Sequence, residues 1–169
     1  MIYRLATLED LNNVWDKDIK RNPDDNRWKR WKKEYIDYNN KGEAKTFVAI
    51  DNNEVIGQIT VILKTNVKAV KGKEKLCDGK FIANMNAFRC DKCYEGKGHI
   101  SKLVKLGEKY ARSLGYKYIT IGSEAREVRN LSIYFHFGYT EFLFSELDDE
   151  EENAPLVLYY GKKIIKINV

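Results

Sequence analysis

The chain has 169 residues, 43% hydrophobic and 33% charged, with a formal net charge of +5. That size and make-up fit one globular domain over 1–169 with a core of its own. No apolar run approaches the roughly 20 residues of a membrane span, and Met1–Ala6 lacks the pattern of a secretory leader, so a cytoplasmic protein with no membrane partner is expected.

Ile2–Leu5 alternates as a strand does, and Thr7 is a good N-cap for a helix with Leu8, Leu11, Val14 and Trp15 on one face. Asn22-Pro23-Asp24-Asp25 breaks that helix. A second follows, with Trp28, Trp31 and Tyr35 at helical spacing between Arg27, Lys29, Arg30, Lys32 and Lys33, closed by Asn39-Asn40-Lys41-Gly42. The aromatic stripe reads as a buried face. Its basic flanks also admit a nucleic-acid surface, which is the less favoured reading. Thr46–Ile50 and Glu54–Leu63 flank the turn cluster Asp51-Asn52-Asn53 and predict a hairpin. Lys64–Gly79 is lysine-rich and is expected to be a connection with a short extension of that hairpin. Phe81–Cys90 is the next strand candidate. Cys77, Cys90 and Cys93 are odd in number, so no disulfide framework is expected. Cys90 and Cys93 with Cys77 and His99 would make four zinc ligands, but the second close pair usual in structural zinc is missing, and no metal is expected.

The most informative stretch is Tyr94–Val104, where Gly96 and Gly98 precede a helical apolar pattern. Glycines let the backbone approach a ligand, and a helix starting behind them presents unpaired N–H groups and a partial positive charge, a combination that binds phosphate. An ordinary glycine turn is the alternative. Ile100, Leu103, Val104, Gly107, Ala111 and Leu114 share one helix face, and Gly107 there implies close approach to a sheet. Gly115 sits at the C-cap. A strand at 118–121, a helix at 124–136 before Gly138, and strands at 140–147 and 156–160 around the acidic run Asp148-Asp149-Glu150-Glu151-Glu152 complete the chain. The order β-α-α-β-β-β-α-β-α-β-β is that of an α/β domain with a mixed sheet.

This order resembles the GNAT superfamily of acetyl-CoA-dependent N-acetyltransferases. Glu95-Gly96-Lys97-Gly98-His99-Ile100 approximates the family signature Arg/Gln-x-x-Gly-x-Gly/Ala, and Leu131-Ser132-Ile133-Tyr134-Phe135-His136-Phe137-Gly138-Tyr139 is similar to the family's Leu/Phe-Tyr-x-Lys-x-Gly-Phe ending of the next helix. The resemblance implies a mostly antiparallel central sheet flanked by helices, with acetyl-CoA as co-substrate. It implies that Phe88, Arg89 and Cys90 line the pantetheine arm and that Glu95, Gly96, Lys97, Gly98, His99, Ile100 and Ser101 hold the diphosphate. Glu95 and Ile100 depart from the pattern; the lost basic contact falls to Lys97 or Lys102. Tyr134 matches the tyrosine that faces the cofactor sulfur and is the expected general acid, with a core tyrosine as the alternative. Glu124 is the candidate base, with Glu127 beside it, unless either merely complements a helix dipole. Asn84 and Asn86 occupy the strand where some members keep a carboxylate, but an amide cannot act as a base.

The implied function is acetyl transfer to a primary amine, drawn by the acidic run and by Asp24 and Asp25 to a small cationic molecule such as an aminoglycoside-like antibiotic or a polyamine. A protein lysine or N-terminus as acceptor, and a non-catalytic acyl-CoA or nucleic-acid binding module, are the alternatives. The apolar residues Ile164, Ile165 and Ile167 fit either a homodimer contact or a last edge strand.

Overall fold

In the computed structural model, which describes residues 1–165, Thr7 and Asp10 close a capping box. The Asp10 N–H donates to Thr7 Oγ1 at 3.2 Å and the Thr7 N–H donates to Asp10 Oδ2 at 2.7 Å. Each satisfies a donor that the first turn of a helix leaves free. They open α1 (Leu8–Arg21), which follows β1 (Ile2–Leu5). Helix α2 (Arg27–Lys41) stops at Gly42, whose φ of 71° is the left-handed conformation that glycine adopts without penalty.

The remaining strands are β2 (Ala44–Asp51), β3 (Glu54–Ile62), β4 (Ile82–Cys90), β5 (Tyr118–Glu124), β6 (Glu141–Leu147) and β7 (Leu156–Lys163), and the remaining helices are α3 (His99–Ser113) and α4 (Val128–His136). The seven strands form one sheet in the order β1-β2-β3-β4-β5-β7-β6. Alternate residues of β2 face opposite sides, as strand geometry requires. Phe47 and Ala49 pack with Leu103, Val104 and Ala111 of α3, whereas Val48 and Ile50 pack with Val14 and Trp15 of α1. The helices therefore cover both faces. Trp28, Trp31 and Tyr35 of α2 join the α1 side, so the aromatic stripe is a packing face. Gly107 admits α3 close to the sheet: a Cβ there would lie 2.8 Å from Ile59 Cδ1 and 2.9 Å from Met85 Cε.

Every strand pair is antiparallel except β4–β5, whose parallel register covers Ile82↔Tyr118, Ala83↔Ile119 and Asn84↔Thr120 and then ends. Asn84 Nδ2 donates to Thr120 Oγ1 at 3.0 Å, and that hydroxyl donates to the Leu76 carbonyl at 2.7 Å. Asn84 thus fastens the seam. Past it β4 bends: Ala87 takes a φ of 53° where the register against β3 shifts between Gln58 and Thr60. A bulge of this kind turns a strand out of line, and β4 parts from β5.

Three expectations need correction. The helix placed at 124–136 starts at Val128, because Glu124 remains paired with Val157 and the Ala125 N–H donates to the Leu156 carbonyl. Residues 64–79 do not extend the hairpin but run through turns, burying Val67, Val70, Leu76 and Cys77 against Ala44 and Ile62. Of the C-terminal isoleucines, Ile164 belongs to the core at 2% exposure, Ile165 is exposed, and Ile167 lies outside the described residues.

Candidate active site

The parting of β4 from β5 opens a cavity of about 610 Å³ between β4, the turn before α3 and the inward side of α4. Phe88, Arg89, Cys90, Glu95, Gly96, Gly98, His99, Ile100, Ser101 and Tyr134 all line it; Lys97 and Glu124 do not. Gly98 is the N-cap of α3 at φ 81°, and Gly96 has φ 72°. A Cβ at either would meet nothing within 4 Å, so backbone conformation, not crowding, requires glycine there. Among the described residues no side chain caps α3, and its first N–H groups carry the partial positive charge of a helix start. The donor set and the room beside it fit a diphosphate.

Tyr134 lies on the opposite wall, its ring 5.0 Å from that of Phe88. Burial pushes its hydroxyl up to about 12, and among the described residues no partner hydrogen-bonds to it. His99 is held by Tyr3, Nδ1 to hydroxyl 2.8 Å, and lies against the rings of Tyr3 and Tyr94. The Arg89 side chain turns to the α1 face, where its guanidinium lies 4.3 Å from the Trp15 ring and 4.9 Å from Trp28, with Nε 2.6 Å from Asp18 Oδ2. Burial raises the Asp18 carboxyl, and the Arg89 charge opposes that shift. The Cys90 thiol is also pushed up, chiefly by burial and further by Glu95 and Asp91, which leaves it a poor nucleophile or ligand. Among the described residues no group of three or more His, Cys, Asp or Glu side chains could hold a metal ion.

Neither candidate carboxylate lines the cavity. Glu124 pairs with Arg126 at 2.5 Å, and Glu127, the N-cap residue of α4, makes no side-chain cap hydrogen bond. Asn86 Nδ2 donates to the Tyr35 hydroxyl at 2.8 Å. Lys97 and Lys102 lie over the rings of Tyr94 and Tyr3, 5.4 and 5.0 Å from the centroids, and neither lines the cavity. The cation that does face Glu95 is Arg129 of α4, Nη2 to Oε2 2.8 Å. Sequence reasoning missed it, together with Asn130, Ser132 and Ile133, which line the same wall. The helical spacing of Arg129, Ile133 and Phe137 was the available signal.

Two members of the acidic run, Glu150 and Glu151, are in ion pairs. Glu151 pairs with Arg27 at 2.8 Å, and Glu150 with Lys68 at 2.9 Å and Arg30 at 3.4 Å, while Asp25 also holds Arg27 at 2.7 Å. These contacts hold the β6–β7 loop down on α2. They also remove Arg27 and Arg30 from the basic face that a nucleic acid would need.

The model of the acetyltransferase (GNAT) family matches residues 8–139. None of the curated proteins compared with the chain matches its sequence. Among solved structures, an aminoglycoside 6'-N-acetyltransferase complexed with coenzyme A is 14% identical, covers 100% of both chains and superposes with a TM-score of 0.68. A variant of spermidine N-acetyltransferase from Vibrio cholerae is 14% identical over 99% of this chain and 98% of its own, TM-score 0.71. Ribosomal-protein-alanine N-acetyltransferase from Brucella melitensis is 13% identical over 96% and 99%, TM-score 0.71. The chain belongs to the GNAT family and is an acetyl-CoA-dependent acetyltransferase.

Proposed function

We propose that this GNAT-family acetyltransferase moves the acetyl group of acetyl-CoA onto the primary amine of a small cationic molecule, an aminoglycoside-like antibiotic or a polyamine. The observation that carries the reading is the parting of β4 from β5 beyond Asn84–Thr120, beside a helix start that no side chain caps. Acetyl-CoA supplies an acetyl group activated as a thioester. The N–H groups at the start of α3 hold its diphosphate. The edge of β4 that β5 leaves free, Phe88–Cys90, offers main-chain hydrogen bonds to the pantetheine arm and an N–H to the acetyl oxygen. One donor of that kind is typically worth about 10²–10³ in rate.

Tyr134 faces this edge with an uncommitted hydroxyl. Shifted up to about 12, it stays protonated through the neutral range and donates its hydrogen to the departing sulfur. Glu124 would have to release Arg126 and turn inward to accept the amine's proton, so we assign that proton to water instead.

Two observations favour a small cationic acceptor. The β6–β7 loop is tied to α2 through Glu150 and Glu151, which narrows that side against an extended polypeptide. Asp24, Asp149 and Glu152 stay exposed and, among the described residues, in no ion pair, leaving a negative rim that draws cations by a field that salt screens. Aminoglycoside and spermidine acetyltransferases share the fold.

The test has two steps. Excess acetyl-CoA at about 100 times its dissociation constant adds roughly 2.7 kcal/mol, a rise of several degrees in Tm for a domain of this size. Thiol release is then followed with an aminoglycoside, spermidine, a lysine peptide and a peptide beginning with alanine. Turnover with the first or second is expected; turnover with the peptides alone would overturn the proposal.

A further inference from the structure

Glu95 is an odd residue to find at an anion site. It stands immediately before the Gly96–Gly98 turn, where backbone donors and a helix dipole favour negative charge, and its own carboxylate repels it. The structure shows where that carboxylate goes. Its Oε2 lies 2.8 Å from Nη2 of Arg129, which reaches across from the first turn of α4, and both residues line the cavity. Arg89 and Arg129 are the lysine or arginine residues of that lining, and the Arg89 guanidinium is held on the other face by Asp18. Lys97 and Lys102 are stacked on tyrosines outside it, and Arg126 is paired with Glu124.

We propose that Arg129 is the diphosphate-binding cation of this protein and that Glu95 is its built-in competitor. Binding of acetyl-CoA exchanges the Glu95 carboxylate for phosphate oxygens on the same guanidinium. This rests on acetyl-CoA as the acetyl donor. The exchange is favourable because the resident pair is weak. The Arg129 side chain is 70% exposed and that of Glu95 37%, and ion pairs so open to water contribute little. A diphosphate carries more charge than one carboxylate and accepts the planar guanidinium fork in a two-point contact. Glu95 thus does two things: it keeps Arg129 at the mouth of the cavity before the cofactor binds, and it sets a ceiling on cofactor affinity.

Calorimetric titration of acetyl-CoA into the wild type, Arg129→Gln and Glu95→Gln tests this without reference to any acceptor. Arg129→Gln is expected to weaken binding about tenfold, the loss of one charged hydrogen-bonded contact. Glu95→Gln is expected to tighten it about threefold, the release of one exposed pair. Both residues are exposed, so the Tm of each variant without ligand should match the wild type. The Arg129→Gln loss should persist with acetyl-3'-dephospho-CoA. A loss confined to the 3'-phosphorylated form would overturn the diphosphate assignment. Unchanged affinity in Arg129→Gln, or weaker binding in Glu95→Gln, would overturn the exchange while leaving the cofactor reading intact. A wild type that binds no acetyl-CoA would instead remove the cofactor reading and this inference with it.

Discussion

Gln58 stands opposite Arg89 across the β3–β4 ladder, on the face covered by α1, and among the described residues neither amide atom of Gln58 nor Nη1 of Arg89 has a hydrogen-bond partner. Gln58 is fully buried. An unpaired buried polar group costs about 1–3 kcal/mol, whereas an apolar side chain of similar shape costs none of it. Gln58→Leu should therefore raise stability by about 1–2 kcal/mol, read from the urea midpoint. A fall would mean that water or a ligand group satisfies the amide.

The contact of α3 with the sheet predicts the opposite sign. A Cβ at Gly107 would come within 3.0 Å of Ile59, Met85 and Val61. Gly107→Val adds three carbons to a packed core, and such overpacking costs about 1–3 kcal/mol. The expected drop in Tm is roughly 2–4 °C per kcal/mol. An unchanged Tm would show that α3 can ride away from the sheet.

High pH should unfold the protein through its buried tyrosines. Burial pushes Tyr35, Tyr116 and Tyr134 up to about 12, from an ordinary value of 10.0. Tyr118, Tyr139 and Tyr159 move the same way. Below the unfolded value both states hold the proton and pH has no effect. Between 10 and 12 the unfolded chain loses protons that the folded state keeps, so stability falls as pH rises. Urea midpoints should be flat to about pH 9 and then decline, less steeply in Tyr134→Phe. A midpoint that does not change across that window would refute the burial argument.

For the chemistry, Tyr134→Phe keeps the ring against Phe88 and removes the hydroxyl. With an accepted amine, turnover should fall by about 10² or more while calorimetric affinity for acetyl-CoA holds. Full turnover in the variant would reduce Tyr134 to a packing residue.

What the residues disclosed and what they hid follow one physical division. Gly96 and Gly98 were legible because left-handed φ values force a residue identity. Leu11, Val14 and Trp15 were legible because the face they bury repeats at the helical period. The start of α4 was misread because Glu124-Ala125-Arg126 are good helix formers; pairing with β7 overrides that preference. The Glu95–Arg129 pair left no local mark, since its partners are 34 residues apart and either alone is an ordinary surface charge. The pairing of Glu150 and Glu151 was hidden for the same reason: Arg27, Arg30 and Lys68 come from other parts of the chain.

The seam between β4 and β5 makes the sheet a pair of tweezers, two antiparallel blocks clasped at one end and open at the other. Whatever lies between the arms finishes a ladder that the polypeptide leaves unwritten. On the proposed reading the coenzyme is a guest strand, and with it in place the molecule would become the continuous sheet that its own sequence stops short of making.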